Sequence, residues 1–378
     1  MGRHAGLAMA LVLVAWAGSA RAADMNGSLS VVAHDPRTGE FAVAALSHAP
    51  ACGNLVPWVE AGVGAIALGG EVNGSWGPRG LKMLKDGVPV QHMSDSLMSS
   101  DPGLQRRQIG AIDRTGWPGG YSGSQLVNWS GGVLDSNMAT QGCNLMYHPS
   151  LYSLRDTIKA HAGQPLADRL LTGLAYSQAT RADWRGARSA VLVIGRVNPD
   201  RPEDATRYVY LRVDDDPDPA GKLAQIYRAW RAAHLVGAHL DYAAMYRKDG
   251  DAARADAEDQ AARTAVRLAL ADTSLGGPAL NAMAWQLAQR GAMLNEAWTA
   301  ITRARLREPK STEFSDTAAE VRYRQGRPGD AFALADEGLK RVPADEYLRS
   351  RDAYFRKLAG IPPPAPPAPS PSPRRRPK

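Results

Sequence analysis

Residues 28–46, SLSVVAHDPRTGEFAVAAL, decide the fold of the first half of this chain. Two apolar runs, residues 28–33 and 41–46, flank the polar segment Asp35-Pro36-Arg37-Thr38-Gly39-Glu40. Asp, Pro and Gly between two strand-like runs are typical of a turn, so we predict a β-hairpin. This hairpin places Ser28 at the beginning of its first strand.

The segment before the hairpin has the features of a cleavable export signal. Arg3 and His4 form a short polar region, residues 7–16 are apolar, and Ala20-Arg21-Ala22 has the small-x-small pattern of a cleavage site. The apolar stretch is too short to span a bilayer, which takes about 20 residues. We therefore predict a signal peptide over residues 1–22, a bacterial periplasmic or secreted protein, and no transmembrane segment.

The positive charge of the chain is concentrated at its two ends. The formal net charge is +7, but two arginines lie in the predicted signal and four basic residues lie in the tail, which leaves about +1 for the body. This balance argues against a nucleic-acid-binding face. The Pro-rich basic tail, residues 359–378, is predicted to be disordered. It either contacts an anionic surface or is a solvated terminus.

The remaining pattern predicts two structural domains after the signal. Residues 28–220 combine strands and helices and predict an α+β domain with sheets packed face to face and helices outside. The predicted strands after the hairpin are residues 55–59, 63–68, 108–112, 189–194 and 208–213, and the predicted helices are residues 79–85, 90–99, 151–162 and 166–178. Residues 221–358 are Ala-rich and are predicted to be helical throughout.

The helical half contains a repeat. A shift of 34 residues aligns Glu296-Ala297-Trp298 with Asp330-Ala331-Phe332, and Pro309 with Pro343. This period resembles that of tetratricopeptide repeats. Such a region either binds a protein partner in a groove or serves as a packing appendage, and the sequence leaves both readings open.

The first half also resembles a bacterial family catalogued as domain of unknown function 1028. Besides the hairpin, the resemblance rests on Val56-Pro57-Trp58, Gly77-Pro78-Arg79-Gly80-Leu81, Asp101-Pro102-Gly103, Ser122-Gly123-Ser124, Gln141-Gly142, Arg185-Gly186 and Leu211-Arg212-Val213-Asp214-Asp215. That family is grouped with the N-terminal-nucleophile hydrolases. The resemblance therefore implies a four-layer αββα sandwich, and Ser28 takes the place of the hydroxyl residue that opens the family's sequences.

A hydroxyl on the first residue of a chain has its own general base. The free α-amine, with a reference pKa of about 7.7 to 8.0, is partly unprotonated near neutral pH and can accept the hydroxyl proton. Residues 23–27 still precede Ser28 after signal removal, so activation needs a second cut between Gly27 and Ser28. We predict an exported N-terminal-nucleophile-type amidohydrolase acting on a small amide or peptide. The alternatives are an ordinary strand serine at Ser28 and a non-catalytic scaffold that uses the helical repeats for a protein partner.

Five further side chains are candidates for the site. Asn73 and Asn144 are predicted to donate hydrogen bonds to an oxyanion, or else to occupy turns. Ser47 and His48 end the second strand of the hairpin, close to the predicted position of Ser28, and are candidates for substrate binding. Arg79, at the opening of a helix, either clamps a substrate carboxylate or is solvated.

Cofactors and metals have no sequence support. His234 and His239 are five residues apart and do not share a helix face as zinc-binding histidine pairs do. No dinucleotide fingerprint is present, so we predict that the protein uses no cofactor. Cys52 and Cys143 either form a disulfide, as an oxidising compartment permits, or remain buried thiols.

Overall fold

The computed structural model describes residues 28–198 and 201–362, with the side chains of residues 197–207 left undescribed. The predicted signal peptide, residues 23–27 and all but the first few residues of the predicted tail lie outside the described residues. The chain divides into two compact units between Ile226 and Tyr227.

The first unit is built on two antiparallel sheets. Its strands are β1 (Leu29–Asp35), β2 (Glu40–Ser47), β3 (Pro57–Glu60), β4 (Gly64–Gly70), β5 (Arg107–Asp113), β6 (Pro118–Ser122), β7 (Trp129–Asp135), β8 (Met138–Leu145), β9 (Ser189–Asn198) and β10 (Arg201–Val213). The larger sheet has the order β10-β9-β2-β1-β8-β7, and the smaller has the order β3-β4-β5-β6. Strand β1 therefore lies inside the larger sheet, between β2 and β8.

The predicted hairpin is confirmed. Strands β1 and β2 pair in register from Leu29 opposite Leu46 to Asp35 opposite Glu40. The Asp35 carboxylate accepts a hydrogen bond from the Arg37 N–H at 3.0 Å and closes the turn. Gly39 has a φ of 68° there, a left-handed conformation that glycine adopts without a steric penalty.

Helices cover the outer face of each sheet. The helices of this part of the chain are α1 (Trp76–Lys85), α2 (Val90–Ser99), α3 (Pro149–Ala160) and α4 (Leu166–Ala179). Helices α1 and α2 bury apolar side chains such as Trp76 and Leu97 against Ile66 of the smaller sheet. Helix α3 packs on β8 and helix α4 packs on β2. Between the sheets, Val43 packs in one core with Ile112. The prediction of an α+β unit with face-to-face sheets is confirmed.

Three strands, β6, β7 and β8, were not predicted from the sequence. Gly119 and Gly120 interrupt β6, and Gly131 and Gly132 interrupt β7, which weakens the strand signal of both segments. Strand β8 is buried along its whole length, so it lacks the alternation of apolar and polar residues that marks a half-buried strand.

Asp35 gives the first unit a dependence on acid. Burial by itself raises the pKa of this carboxyl, but hydrogen bonds from Arg37 and the charges of Arg169 and Arg37 outweigh burial, so the pKa is lowered. Because the pKa of Asp35 is lower in the folded state than in the unfolded state, the ionised carboxyl stabilises the fold at pH values above the unfolded pKa of about 3.9. This stabilisation is lost as the pH falls through the folded-state pKa.

We therefore expect the first unit to lose stability below about pH 4. In Asp35→Asn this loss should be smaller, because the titrating carboxylate that ties Arg37 to Arg169 is absent. The measurement is urea unfolding between pH 2 and pH 6, with hydrogen exchange of β1 reporting on this unit. An identical acid dependence in the variant would show that Asp35 is not responsible.

The second unit is helical throughout its described residues. Its helices are α5 (Pro219–Trp230), within which the division falls, α6 (Val236–Lys248), α7 (Ala252–Ala271), α8 (Gly277–Arg290), α9 (Leu294–Arg307), α10 (Thr312–Arg324), α11 (Pro328–Arg341) and α12 (Glu346–Leu358). Helix α8 packs on α9 and helix α10 packs on α11. Gly291 and Gly326 follow α8 and α10 with left-handed φ values of 62° and 76°, so the same helix end occurs in both pairs. In the described part of the chain, none of the helices is both long and apolar enough to cross a bilayer.

Candidate active site at the start of strand β1

A small pocket lies at the end of the larger sheet where β1 begins. Its cavity volume is about 190 Å³. Apolar walls are formed by Leu29, Leu46, Ala182, Ala187 and Pro217, and the polar lining residues are Ser28, Ser47, Ser177, Gln178, Arg181 and Asp183. Apolar walls with a few polar groups are typical of a site for a small organic molecule. The volume is below the roughly 300–1,000 Å³ of pockets for drug-sized ligands, so the pocket suits a small substrate or one end of a larger one.

The Ser28 hydroxyl lies in the wall of this pocket between two hydrogen-bond donors. Its Oγ accepts a hydrogen bond from the His48 backbone N–H at 3.2 Å and another from Arg185 Nη2 at 3.1 Å. The Ser28 carbonyl accepts a hydrogen bond from the Cys143 N–H at 3.0 Å on the neighbouring strand. The position of the residue is therefore fixed, and negative charge that develops on Oγ is stabilised by a guanidinium and an amide.

Asp183 holds Arg185 in place. Arg185 Nε donates to Asp183 Oδ1 at 3.1 Å, and Nη2 donates to Oδ2 at 2.8 Å. The Arg185 backbone N–H also donates to Oδ1, at 2.9 Å. Both side chains are nearly inaccessible, at 5% and 7% exposure, so this is a buried bidentate ion pair. The pair aims a fixed cation at Ser28.

The structure brings the predicted residues Ser47 and His48 to Ser28. Ser47 is fully buried, lines the pocket and accepts a hydrogen bond from the Ala49 N–H at 3.1 Å. His48 Nδ1 lies 3.1 Å from the Gly186 carbonyl oxygen, and a carbonyl can only accept, so Nδ1 carries the proton. The contact of His48 with Ser28 is made by its backbone amide, and its ring is directed to the Gly186 carbonyl.

Asn144 lies on the strand next to Ser28. It follows Cys143, is fully buried and has a left-handed φ of 58°. Its Nδ2 lies 3.9 Å from Cys143 Sγ. Asn144 is not among the residues that line the pocket, so its predicted role at an oxyanion stays a prediction.

Asn73 and Arg79 are not brought into the pocket. Asn73 Nδ2 donates to Asp101 Oδ2 at 2.7 Å, while its Oδ1 accepts from Ser75, so this side chain joins a turn to an acidic residue. Arg79 is exposed on α1, and its Nη2 lies 3.4 Å from Ser100 Oγ. The substrate and oxyanion roles predicted for these two residues have no support from their positions.

The two cysteines are separate buried thiols. Cys52 packs in the core between the two sheets, whereas Cys143 packs with Leu126 and Val127 in another cluster. Burial raises the pKa of Cys52 to about 12 and that of Cys143 to about 11. Of the two alternatives for these residues, the structure contains the buried thiols.

Sequence reasoning missed part of this site. The sequence pattern pointed to Arg185 only as part of the Arg185-Gly186 motif, and it gave no indication of Asp183, Ser177 or Arg181 as site residues. The motif was the one available signal, because nothing in its spacing from Ser28 indicates contact across 157 residues of chain. Within residues 28–198 and 201–362, no group of three or more His, Cys, Asp or Glu side chains could hold a metal ion.

Residues 28–223 match a family of unknown function, DUF1028, and the chain belongs to this family. The chain is also similar to a crystal structure of a protein from Silicibacter pomeroyi assigned to the same family. The two share 28% sequence identity over 53% of this chain and 88% of the other, with a TM-score of 0.48. No functionally curated protein matches the chain.

Proposed function

We propose that the first unit is an exported N-terminal-nucleophile-type amidohydrolase that acts on a small amide or peptide. One observation carries the proposal. Ser28 Oγ lies in the wall of the pocket and accepts hydrogen bonds from the His48 N–H and from Arg185, which Asp183 fixes. A serine with no role beyond starting a strand would not need a buried guanidinium directed at its hydroxyl.

The arrangement of layers also supports the proposal. Two antiparallel sheets pack face to face, and a pair of helices covers the outer face of each. These contacts support the αββα sandwich that the sequence resemblance implies. The proposed nucleophile, Ser28, precedes β1, which lies between β2 and β8 in the larger sheet.

The proposed reaction uses the two functional groups of Ser28. Its α-amine accepts the hydroxyl proton as Oγ attacks the carbonyl carbon of the substrate amide. The amine then gives this proton to the leaving nitrogen, the C–N bond breaks, and an ester to Ser28 remains. Water attacks the ester with the amine again as the base, and a carboxylic acid leaves. Arg185 and the His48 N–H stabilise the charge on Oγ during attack.

Formation of this amine requires a cut between Gly27 and Ser28. The Ser28 hydroxyl attacks the Gly27 carbonyl carbon, the acyl group moves from nitrogen to oxygen, and water hydrolyses the resulting ester. The chain that emerges begins at Ser28 with a free amine.

The decisive experiment is the intact mass of protein recovered from the bacterial periplasm. We expect the wild-type chain to begin at Ser28 and the Ser28→Ala chain to begin at Ala23, because alanine has no nucleophilic oxygen. Ser28→Thr keeps a hydroxyl and should still be cut, and Ser136→Ala, which removes a hydroxyl at the turn between β7 and β8, should be cut like the wild type. A wild-type chain that begins at Ala23 would contradict the proposal.

The second candidate is a non-catalytic scaffold that uses the helical unit. It is favoured by the repeated pairs α8–α9 and α10–α11, whose equivalent glycine ends support a tetratricopeptide-like arrangement. The same unit contains a cavity of about 580 Å³ lined by charged side chains such as Arg263 and Glu296. Under this candidate the protein binds a peptide partner there, and the chain remains uncut before Ser28.

A further inference from the structure

The proposed reaction leaves two polar residues of the pocket without a role, Ser177 and Arg181. Ser177 is 2% exposed, and its hydroxyl has no hydrogen-bond partner in the part of the chain that the structure describes. Arg181 is exposed and also lines the pocket. Among the described residues its guanidinium makes no ion pair or hydrogen bond.

An unpartnered hydroxyl at this depth calls for an explanation, because buried polar groups in native proteins nearly always have a partner. The hydrogen bonds of the neighbouring backbone do not involve the Ser177 hydroxyl. Its own carbonyl already accepts from the Ala182 N–H at 2.9 Å and from Thr180 Oγ1 at 3.3 Å. Because Ser177 lines the pocket, its hydroxyl is placed to donate to a ligand atom there.

The backbone at Arg181 has a conformation that is unusual for arginine. Arg181 has a φ of 52°, just after the end of α4. Glycine and asparagine are the residues that favour this left-handed conformation. An arginine is locally unfavourable in this conformation, and its side chain lines the pocket.

The acidic groups nearby do not neutralise Arg181. Asp183 is engaged by Arg185. Asp218 accepts a hydrogen bond from Gln178 Nε2 at 2.5 Å and another from the Gly221 N–H at 3.1 Å. Arg181 therefore has no ion pair with either carboxylate, and Asp218, whose donors are neutral, keeps its own negative charge.

We infer that the pocket selects a substrate carrying a carboxylate, with Arg181 as its counter-charge and Ser177 as a hydroxyl donor. The inference rests on the proposed function, since it places the scissile amide of the same substrate at Ser28. A volume of about 190 Å³ holds about six waters at roughly 30 Å³ each. This size fits an N-acyl amino acid or the carboxyl-terminal end of a short peptide.

The test compares an acid with its neutral counterpart. Binding of N-acetyl-L-alanine and of N-acetyl-L-alaninamide to the protein recovered from the periplasm is measured by ligand-observed NMR at neutral pH. We expect the acid to bind about tenfold to a hundredfold more tightly, as is typical of a hydrogen-bonded charge. Acetate released into the same spectra reports cleavage, so binding selectivity and the proposed hydrolysis are measured separately.

Three variants locate the selectivity. Arg181→Asn should abolish the preference for the acid, and asparagine tolerates the left-handed backbone, so the variant should fold normally. Ser177→Ala should weaken binding of the acid several-fold while the melting temperature stays the same or rises, because an unpartnered buried hydroxyl is removed. Lys222→Ala removes a positive charge from an exposed residue that does not line the pocket, and should keep the preference.

Equal binding of the two probes to the wild type, no binding of either, or an unchanged preference in Arg181→Asn would overturn the inference. A preference for the acid without release of acetate would leave the inference standing and count against hydrolysis.

Discussion

Arg185→Met is expected to destabilise the first unit by about 3–5 kcal/mol, because it leaves the buried carboxylate of Asp183 without its partner. Methionine is nearly as long as arginine, so loss of packing is a minor part of the effect. The variant also removes a donor to Ser28 Oγ, and we expect it to remain uncut before Ser28. Urea unfolding with hydrogen exchange of β1 measures the stability, and intact mass measures the cut.

Arg188 provides the matched control. It forms a bidentate pair with Asp215 like that of Arg185 with Asp183, but the side chains of Arg188 and Asp215 are 53% and 52% exposed. Arg188→Met should therefore cost no more than about 1 kcal/mol.

The double variant Arg185→Met with Asp183→Asn removes both charges. It keeps an oxygen that accepts the hydrogen bond of the backbone N–H of residue 185, so it should regain much of the stability. A double variant that is stable and still uncut would separate the structural role of the pair from its role at Ser28. Equal losses in Arg185→Met and Arg188→Met would refute this account.

Arg351→Met is expected to produce the largest loss in the second unit. Arg351 Nε donates to Asp316 Oδ1 at 2.6 Å, and Nη2 donates to Glu320 Oε2 at 2.8 Å. The guanidinium also lies 4.6 Å from the centre of the Phe355 ring. Its removal leaves the buried carboxylate of Asp316 without a cation, close to Glu320, which Arg324 still binds, and we expect a loss of about 3–5 kcal/mol. Burial and the hydrogen bond to Asp316 raise the pKa of Tyr347 to about 12, so this phenol stays a neutral donor to Asp316.

The control in this unit is Arg327→Met. Arg327 pairs with Asp330 at 2.7 Å, but both side chains are about half exposed, and the expected loss is below about 1 kcal/mol. Calorimetric unfolding with hydrogen exchange of α10 and α12 compares the two variants. Addition of Asp316→Asn and Glu320→Gln to Arg351→Met should restore much of the stability, since no buried carboxylate then remains, and Arg324, which loses Glu320 as its partner, is exposed. A cluster that contributed only packing would show no such recovery.

The sequence predicted those elements whose local signals agree with their tertiary setting. The turn of Asp35 and Gly39 predicted the first hairpin, and residues 90–99 were predicted as the helix that α2 forms. Strand β8 was not predicted, because its polar residues Thr140 and Gln141 are buried by tertiary contacts and hide any alternation. The alternation of apolar and polar residues predicts a strand with one solvent-exposed face well, and it predicts a fully buried strand poorly.

The candidate site was predictable only where it follows from one hairpin. Ser28, Ser47 and His48 come together because a two-stranded pairing fixes their relative positions. Arg185 reaches Ser28 from a distant segment, which only the complete fold brings into place. Asn73 and Arg79 were chosen for their chemical type, and residue type alone gives no information on which cavity a side chain reaches.

A cut before Ser28 would give this protein a chain end unlike most others. Chain ends usually fray, since few contacts hold them. Here the first strand after the cut lies between β2 and β8, with a ladder of hydrogen bonds on each side, and the Ser28 carbonyl is bound to Cys143. In the proposed enzyme such an end would hold the amine and the hydroxyl of Ser28, which covalent bonds already keep adjacent, in one position relative to the pocket. The surrounding sheet would thus set the position of the amine before a substrate arrives.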